Sequence, residues 1–213
     1  MSDSKATILQ LPLGPLQTNC YVLACNATRK AAVIDPAWDG QGIFEKTNAE
    51  KWTVSQILLT HSHFDHVGGL AELKDVSGAP ISIHPKAVPM LENAVLSGRM
   101  WQITVPEPPP ADKMLAGGEL ITLGELTLEV LFTPGHAPGH VCFYLAEEDV
   151  LFDGDVLFNQ GIGRTDLPGG DYDLLMESIR QQLLVLPDET LVLSGHGPAT
   201  TIGKEKESNP FLV

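Results

Sequence analysis
The sequence predicts an α+β fold in which β-sheets pack face to face with helices on their outer surfaces. Three observations lead there. Short runs rich in Val, Ile and Leu recur along the whole chain, helical segments among them are few, and 43% of the 213 residues are hydrophobic, which is ample for a packed core. A chain of this length is read as one domain covering residues 1–213.

The runs ATILQL, CYVLAC, AAVID, SQILLT, ISIH, LTLEVLF, CFYLA, DVLFDGD and TLVLSG have strand length and β-branched content. The clearest helix runs from Asp171 to Leu184, where Leu175, Ile179 and Leu183 share a face before Pro187 stops it. Val67 to Val76 and Ala87 to Leu96 are further helical candidates. So many strands with so few helices favour packed sheets over one doubly wound parallel sheet. No internal repeat is evident. The prolines of VPEPPPADKMLAGG, Val105 to Gly118, make that stretch a loop, either a lid over a site or a stiff surface connector. The final GKEKESNPFLV, charged and then apolar, is expected to dock loosely.

A formal charge of −14, with the acids scattered rather than gathered, argues against a nucleic-acid partner. The opening MSDSKATILQLPLG lacks the basic then apolar pattern of an export signal, and no window reaches a membrane span's apolar length. A soluble, cytoplasmic protein is expected. Cys20, Cys25 and Cys142 are an odd set, read as small buried hydrophobes.

Three of the seven histidines crowd into HSHFDH, which follows the apolar run QILLT. In extended backbone His61 and His63 point to the same side and can reach one cation, while Asp65 and His66 turn toward a second. His136 in TPGHAPGH, Asp155 in DGDVLF and His196 in SGHGP each also follow an apolar strand, so their side chains can converge on one sheet edge. Seven donors are too many for one tetrahedral ion and suit two that share a carboxylate. Imidazole and carboxylate suit zinc, with iron or manganese also fitting, and a shell without cysteine points to a catalytic rather than a structural site. By spacing alone either Asp153 or Asp155 could bridge. Asp153 otherwise reads as a turn residue, and His140 as either support behind the donors or a structural residue. His84 reads as a strand-end cap, and the glycines match no phosphate-binding loop.

The ordered set THSHFDH, TPGHAPGH, DGD and SGHGP, from Thr60 to His196, resembles the metallo-beta-lactamase superfamily. That resemblance implies a four-layer sandwich of two mixed sheets flanked by helices. It also implies His61, His63 and His136 around one metal, Asp65, His66 and His196 around the other, and Asp155 bridging them. Within the superfamily the chain is similar to the glyoxalase II branch, the hydroxyacylglutathione hydrolases, through an aspartate at the bridging position followed by VLF and GIGR, and through TNCY and VIDP. The branch implies Arg164 as a clamp for the thiol's carboxylate, against a surface salt bridge as the alternative. The chain ends 17 residues after His196, which resembles the short bacterial relatives with NPFL endings rather than the two-domain enzymes.

The expected activity is therefore hydrolysis of a small-molecule thioester such as S-lactoylglutathione by a metal-bridging hydroxide, with Asp65 and Asp155 as the catalytic carboxylates. The rival is a persulfide dioxygenase, suggested by GRTD at Gly163 to Asp166, with His61, His136 and Asp155 around a single iron. A metal-binding module without turnover, antibiotic hydrolysis and nuclease activity rank below these.

Overall fold
In a computed structural model that describes residues 4–213, two mixed six-stranded sheets pack face to face with helices on both outer sides. The first sheet is laid down by β1 (Ala6–Leu13), β2 (Thr18–Cys25), β3 (Lys30–Ile34), β4 (Thr53–Leu58), β5 (Ile81–Ile83) and β6 (Lys113–Met114), in that spatial order. The pairs β1 to β2 and β2 to β3 are antiparallel, and β3 to β6 run parallel. The second sheet contains β7 (Leu120–Leu123), β8 (Leu126–Phe132), β9 (Val141–Leu145), β10 (Val150–Gly154), β13 (Leu191–Ser194) and β14 (Thr200–Thr201), ordered β14-β13-β10-β9-β8-β7. A separate hairpin joins β11 (Leu157–Phe158) to β12 (Gly161–Ile162).

Strand β2 shows why the layers form. All eight of its residues are buried, and alternate side chains belong to different cores. Tyr21, Leu23 and Cys25 meet Leu128, Val130, Phe143 and Phe152 of the second sheet. Cys20, Val22 and Ala24 face the other way, into a cluster with Ile43 of helix α1 (Gly40–Ala49) and with Leu70 and Leu73 of helix α2 (Leu70–Ser77). On the far side, Leu151 and Val192 pack against Leu175 and Met176 of helix α5 (Tyr172–Ser178) and against Ile202, which opens helix α6 (Ile202–Ser208). All three cysteines are buried and free, as small hydrophobes would be.

The sequence missed α1, whose Asp39 cap accepts a hydrogen bond from Gly42 N–H, because its apolar content is low. The helix expected over Asp171 to Leu184 starts where the Asp171 side chain accepts from Leu174 N–H, and it ends in a π-helical turn, Ile179–Leu183. The stretch Ala87 to Leu96 is broken at Asn93 into α3 (Val88–Glu92) and α4 (Ala94–Met100). Val105 to Gly118 is not wholly irregular, since Lys113–Met114 pairs with β5 as β6, and Val105 and Leu115 are buried anchors. The carboxy-terminal segment does not dock loosely: α6 buries Ile202 and Glu205, and Asn209 just beyond it is also buried. No described helix is long and apolar enough to cross a membrane. Residues 1–3 of the opening segment lie outside the described residues.

Phe143 is fully buried where the two sheets meet. Phe143→Ala should lower unfolding free energy by about 3–5 kcal/mol in urea titrations of the metal-free protein. A loss below about 1 kcal/mol would show that this contact does not join the sheets.

Candidate metal centre
Strands deliver the donors to one edge of the sandwich. β4 leads through Leu59 into Thr60 and His61, β8 into the loop carrying His136, β10 into Asp155, and β13 into His196. His61 Nε2 and His63 Nδ1 are 3.0 Å apart, and His136 Nε2 lies 2.9 Å from the same Nδ1. Asp65, His66 and His196 form a second group, with His196 Nε2 3.1 Å and His66 Nε2 3.7 Å from Asp65 Oδ2. Within each group the donor atoms all lie inside 4.8 Å of one another. Asp155 stands between the groups, its Oδ2 3.6 Å from both His136 Nε2 and His196 Nε2 and its Oδ1 3.4 Å from His66 Nε2. The structure thus brings together all seven donors read from the sequence.

Hydrogen bonds on the far side of the rings determine which nitrogens face inward. His136 Nδ1 donates to the Arg164 carbonyl at 2.8 Å, so its Nε2 presents a lone pair. Thr60 Oγ1 donates to Asp35 at 2.6 Å and can therefore accept from His61 Nδ1, which again leaves Nε2 as a lone pair. Two lone pairs converge on His63 Nδ1, which can satisfy at most one of them. His66 Nδ1 donates to Asp35 Oδ2 at 2.9 Å, and its buried Nε2 has no hydrogen-bond partner; neither has Asp155 Oδ1. With Nδ1 donating, neutral His66 turns a lone pair on Nε2 toward the Asp155 Oδ1 acceptor, and buried acceptors aimed at one another fit a cation rather than a hydrogen bond. Both groups are suited to holding a metal ion.

Electrostatics separate the groups. Burial pushes the His61, His63 and His136 imidazoles below the ordinary histidine range, His63 to about 3, and the neighbouring rings add to the shift at His61 and His63. These rings stay neutral, as ligands must be. For His66 burial acts in the same direction, but the Asp155 and Asp65 carboxylates outweigh it and raise its pKa well above normal. His196 is raised too, burial being outweighed by its hydrogen bond to Asp65 and by Asp155. A field that favours a proton there also favours a metal cation.

Several supports were not legible as functional in the sequence. Asp35, which directly follows β3 as part of VIDP, accepts from Thr60 N–H, Thr60 Oγ1 and His66 Nδ1. Thr18 Oγ1, in TNCY, donates to Asp65 Oδ2 at 2.8 Å, and Asn19 Nδ2 donates to the carbonyls of Ser194 and Gly197 on either side of His196. Nothing local in either motif marks that role. Gly195 must be glycine, because a Cβ there would collide with Asp155 Oδ1. Asp153 is no ordinary turn residue: it is buried at the end of β10, where it accepts from Leu157 N–H at 2.7 Å, and it faces Cys142 rather than the donors. His140 accepts from Asp155 N–H at 3.1 Å and stacks on His61, which supports both donors from behind. His84 accepts from Lys86 N–H and stacks on Phe132, away from the donors. Arg164 makes a two-pronged pair with Asp166 at 2.8 Å, as the salt-bridge alternative has it, and its guanidinium lies over Trp101.

The donors open into a cleft of about 960 Å³ walled by Phe64, Met90, Trp101, Phe158 and Ile162, with Lys86 and Arg164 as its cationic side chains. No residue of the Val105 to Gly118 stretch lines this cleft, which the α3–α4 segment borders instead.

The family model of the metallo-beta-lactamase superfamily matches residues 13–196, which include every donor. The chain belongs to the metallo-beta-lactamase superfamily. This superfamily member is 42% identical to the "Probable metallo-hydrolase YqgX" of Bacillus subtilis, across 95% of this chain and 96% of that protein. It is 38% identical to "Hydroxyacylglutathione hydrolase GloC" of Haemophilus influenzae, across 95% and 96%. The crystal structure of BLEG-1 B3 metallo-beta-lactamase superposes with a TM-score of 0.91 at 45% identity, covering 97% of this chain and all (100%) of that one. TTHA1623 in a di-iron-bound form gives 0.89 at 41%, covering 96% and 100%. ETHE1 from Myxococcus xanthus gives 0.81 at 28%, covering 96% and 83%. Family and donor chemistry together support a metal-dependent hydrolase.

Asp35→Asn leaves three donors facing one acceptor fewer. It should weaken binding at the Asp65, His66 and His196 group by about 10- to 100-fold in chelator-competition titrations, and unchanged affinity would remove Asp35 from the centre. Acidification should also separate the two groups. His66 and His196 have raised pKa values, so a cation must displace their protons, and the competition grows as pH falls. The His61, His63 and His136 group has lowered pKa values and meets little competition. Metal should therefore leave the first of these groups before the second between about pH 8 and about pH 5, followed by calorimetry or chelator release. Release in the opposite order would contradict the assigned protonation states.

Proposed function
We propose that the protein is a binuclear metal-dependent hydrolase of acyl thioesters, of the hydroxyacylglutathione hydrolase type, acting on a small-molecule substrate. The carrying observation is Asp155, one carboxylate within 3.6 Å of imidazoles from both donor groups. In this reading His61, His63 and His136 would hold one ion and Asp65, His66 and His196 the other, with Asp155 standing between the two groups; zinc would suit the donors, and iron and manganese would as well. Two divalent ions held there supply a water whose pKa falls from 15.7 toward about 7, together with positive charge for a developing oxyanion.

The chain's own residues provide the rest. Asp65, fixed by Thr18 Oγ1, can orient the attacking water and take its proton, while Asp155 holds its place through the bond of its N–H to His140. Phe64, Trp101 and Phe158 give the cleft an apolar wall that keeps bulk water from the scissile carbonyl. A thiolate is a tolerable leaving group, so the cleavage calls for no dedicated acid. Lys86 and Arg164 can meet a carboxylate on the thiol carrier, Arg164 with its charge already shared by Asp166. The 38% identity to a protein named hydroxyacylglutathione hydrolase, over nearly the whole of both chains, supports the thioester class.

A second reading, β-lactam hydrolysis, gains weight from the 45% identity to BLEG-1 and needs the same donors. The likeness to ETHE1 at 28% leaves the persulfide dioxygenase reading, which would use His61, His136 and Asp155 alone. Metal analysis with three assays separates them: S-lactoylglutathione hydrolysis, cephalosporin hydrolysis, and oxygen uptake with glutathione persulfide. The expected result is two metals per chain with thioester cleavage, and a drop of about 100-fold or more in Asp65→Ala without loss of fold by circular dichroism. One iron per chain with oxygen uptake and no thioester cleavage would overturn the proposal.

A further inference from the structure
The β11–β12 hairpin is an improbable structure by itself. It has two residues per strand, far below what an isolated hairpin needs, and its turn residue Gln160 is held at φ +64, the left-handed region that a non-glycine side chain disfavours. Yet it supplies Phe158, Asn159 and Ile162 to the cleft. Something outside the hairpin must hold its shape.

Its base is held through Leu157, whose N–H donates to Asp153 Oδ2 and whose carbonyl accepts from Ser194 Oγ, and its turn is held by α6. Glu205, fully buried, accepts from Gln160 N–H at 2.9 Å and from Asn209 Nδ2 at 2.8 Å on Oε2, and from Thr200 Oγ1 on Oε1. Asn209, also fully buried, uses its second amide hydrogen on the Gly161 carbonyl at 3.0 Å. Gln160 Nε2 reaches Ser208 Oγ, and Lys204 Nζ reaches Asn159 Oδ1. Every residue of the turn, Asn159 to Gly161, is therefore tied to α6 or to Asn209 just past it. None of these helix residues touches the donors.

We propose that Glu205 and Asn209 are positioning residues for substrate: their buried hydrogen bonds lock the β11–β12 hairpin, and with it the Phe158 and Ile162 wall, in the place where substrate docks. This uses the proposed function only in taking the cleft as the substrate site. It also gives the asparagine of the NPFL ending a task. The effect falls on binding rather than on the donors. The link from the hairpin to His136 runs through the Arg164 carbonyl, and Gly163 just before it pairs with Val156 at the hairpin's base, beside Leu157 and its bonds to Asp153 and Ser194. A freed hairpin displaces the wall first.

The test uses the full-length, metal-loaded protein carrying Glu205→Ala, Asn209→Ala or Glu205→Gln, with S-lactoylglutathione as substrate. Glutamine is the conservative replacement, since its carbonyl can serve Gln160 and Asn209 while its amide donates to Thr200 Oγ1. Both alanine variants should raise KM by about fivefold or more with kcat within about twofold, and glutamine should stay near wild type. Metal content should be unchanged, and hydrogen exchange should quicken in the peptide 157–162. Unchanged KM in Asn209→Ala overturns the proposal, and so does a joint fall of kcat and metal content, which marks a general loss of fold. If Glu205→Ala does not fold, Asn209→Ala decides. If the wild type cleaves no S-lactoylglutathione, the thioester reading falls by itself, and the same comparison is read with a chromogenic cephalosporin and by exchange at 157–162.

Discussion
The Asp35 carboxylate is the constraint on which the site's geometry depends. It sits where the first sheet ends and accepts three hydrogen bonds, from Thr60 N–H, from Thr60 Oγ1 and from His66 Nδ1. Through Thr60 it sets the ring of His61, and directly it sets the ring of His66, so one buried carboxyl group aligns a donor in each group. Without that alignment the imidazoles could relieve their crowding by turning to hydrogen-bond one another. With it, their lone pairs must converge, and a cation is what can meet them.

Such a cluster of like donors is unfavourable in itself, and the fold supports it from both sheets. Leu23 and Phe143 join the sheets in one core, which brings the ends of β4, β8, β10 and β13 to a common edge. Backbone contacts then adjust each donor: Asn19 holds the carbonyls beside His196, Arg164 offers its carbonyl to His136, and His140 receives the N–H of Asp155. Glycine is required where these elements approach most closely. At Gly195 any side chain would occupy the space of Asp155 Oδ1, and at Gly163 it would meet the Asp155 carbonyl.

The cleft divides its labour differently from the donors. Its floor is polar and rigid, whereas its walls are apolar and come from short elements with little stability of their own: α3, α4 and the β11–β12 hairpin. Specificity can vary on such walls without disturbing the chemistry beneath them.

The sequence by itself determined the fold class, most strands and the histidine-rich HSHFDH segment, because these leave local marks, whereas spacing left Asp153 and Asp155 open and only the family resemblance chose between them. Buried strands read as continuous apolar runs, and histidines crowded after such runs, as in HSHFDH, stand out against any background. It did not reveal Asp35, Thr18, Glu205 or Asn209, since an aspartate in VIDP or a glutamate in a charged tail looks like any solvated residue until distant segments meet. The tertiary structure alone decided their roles, and it paired Arg164 with Asp166 and turned the expected loose tail into a packed helix. The physical reason is the same in each case: a hydrogen bond between residues 31 or 45 positions apart, such as Asp35 with His66 or Glu205 with Gln160, has no local signature.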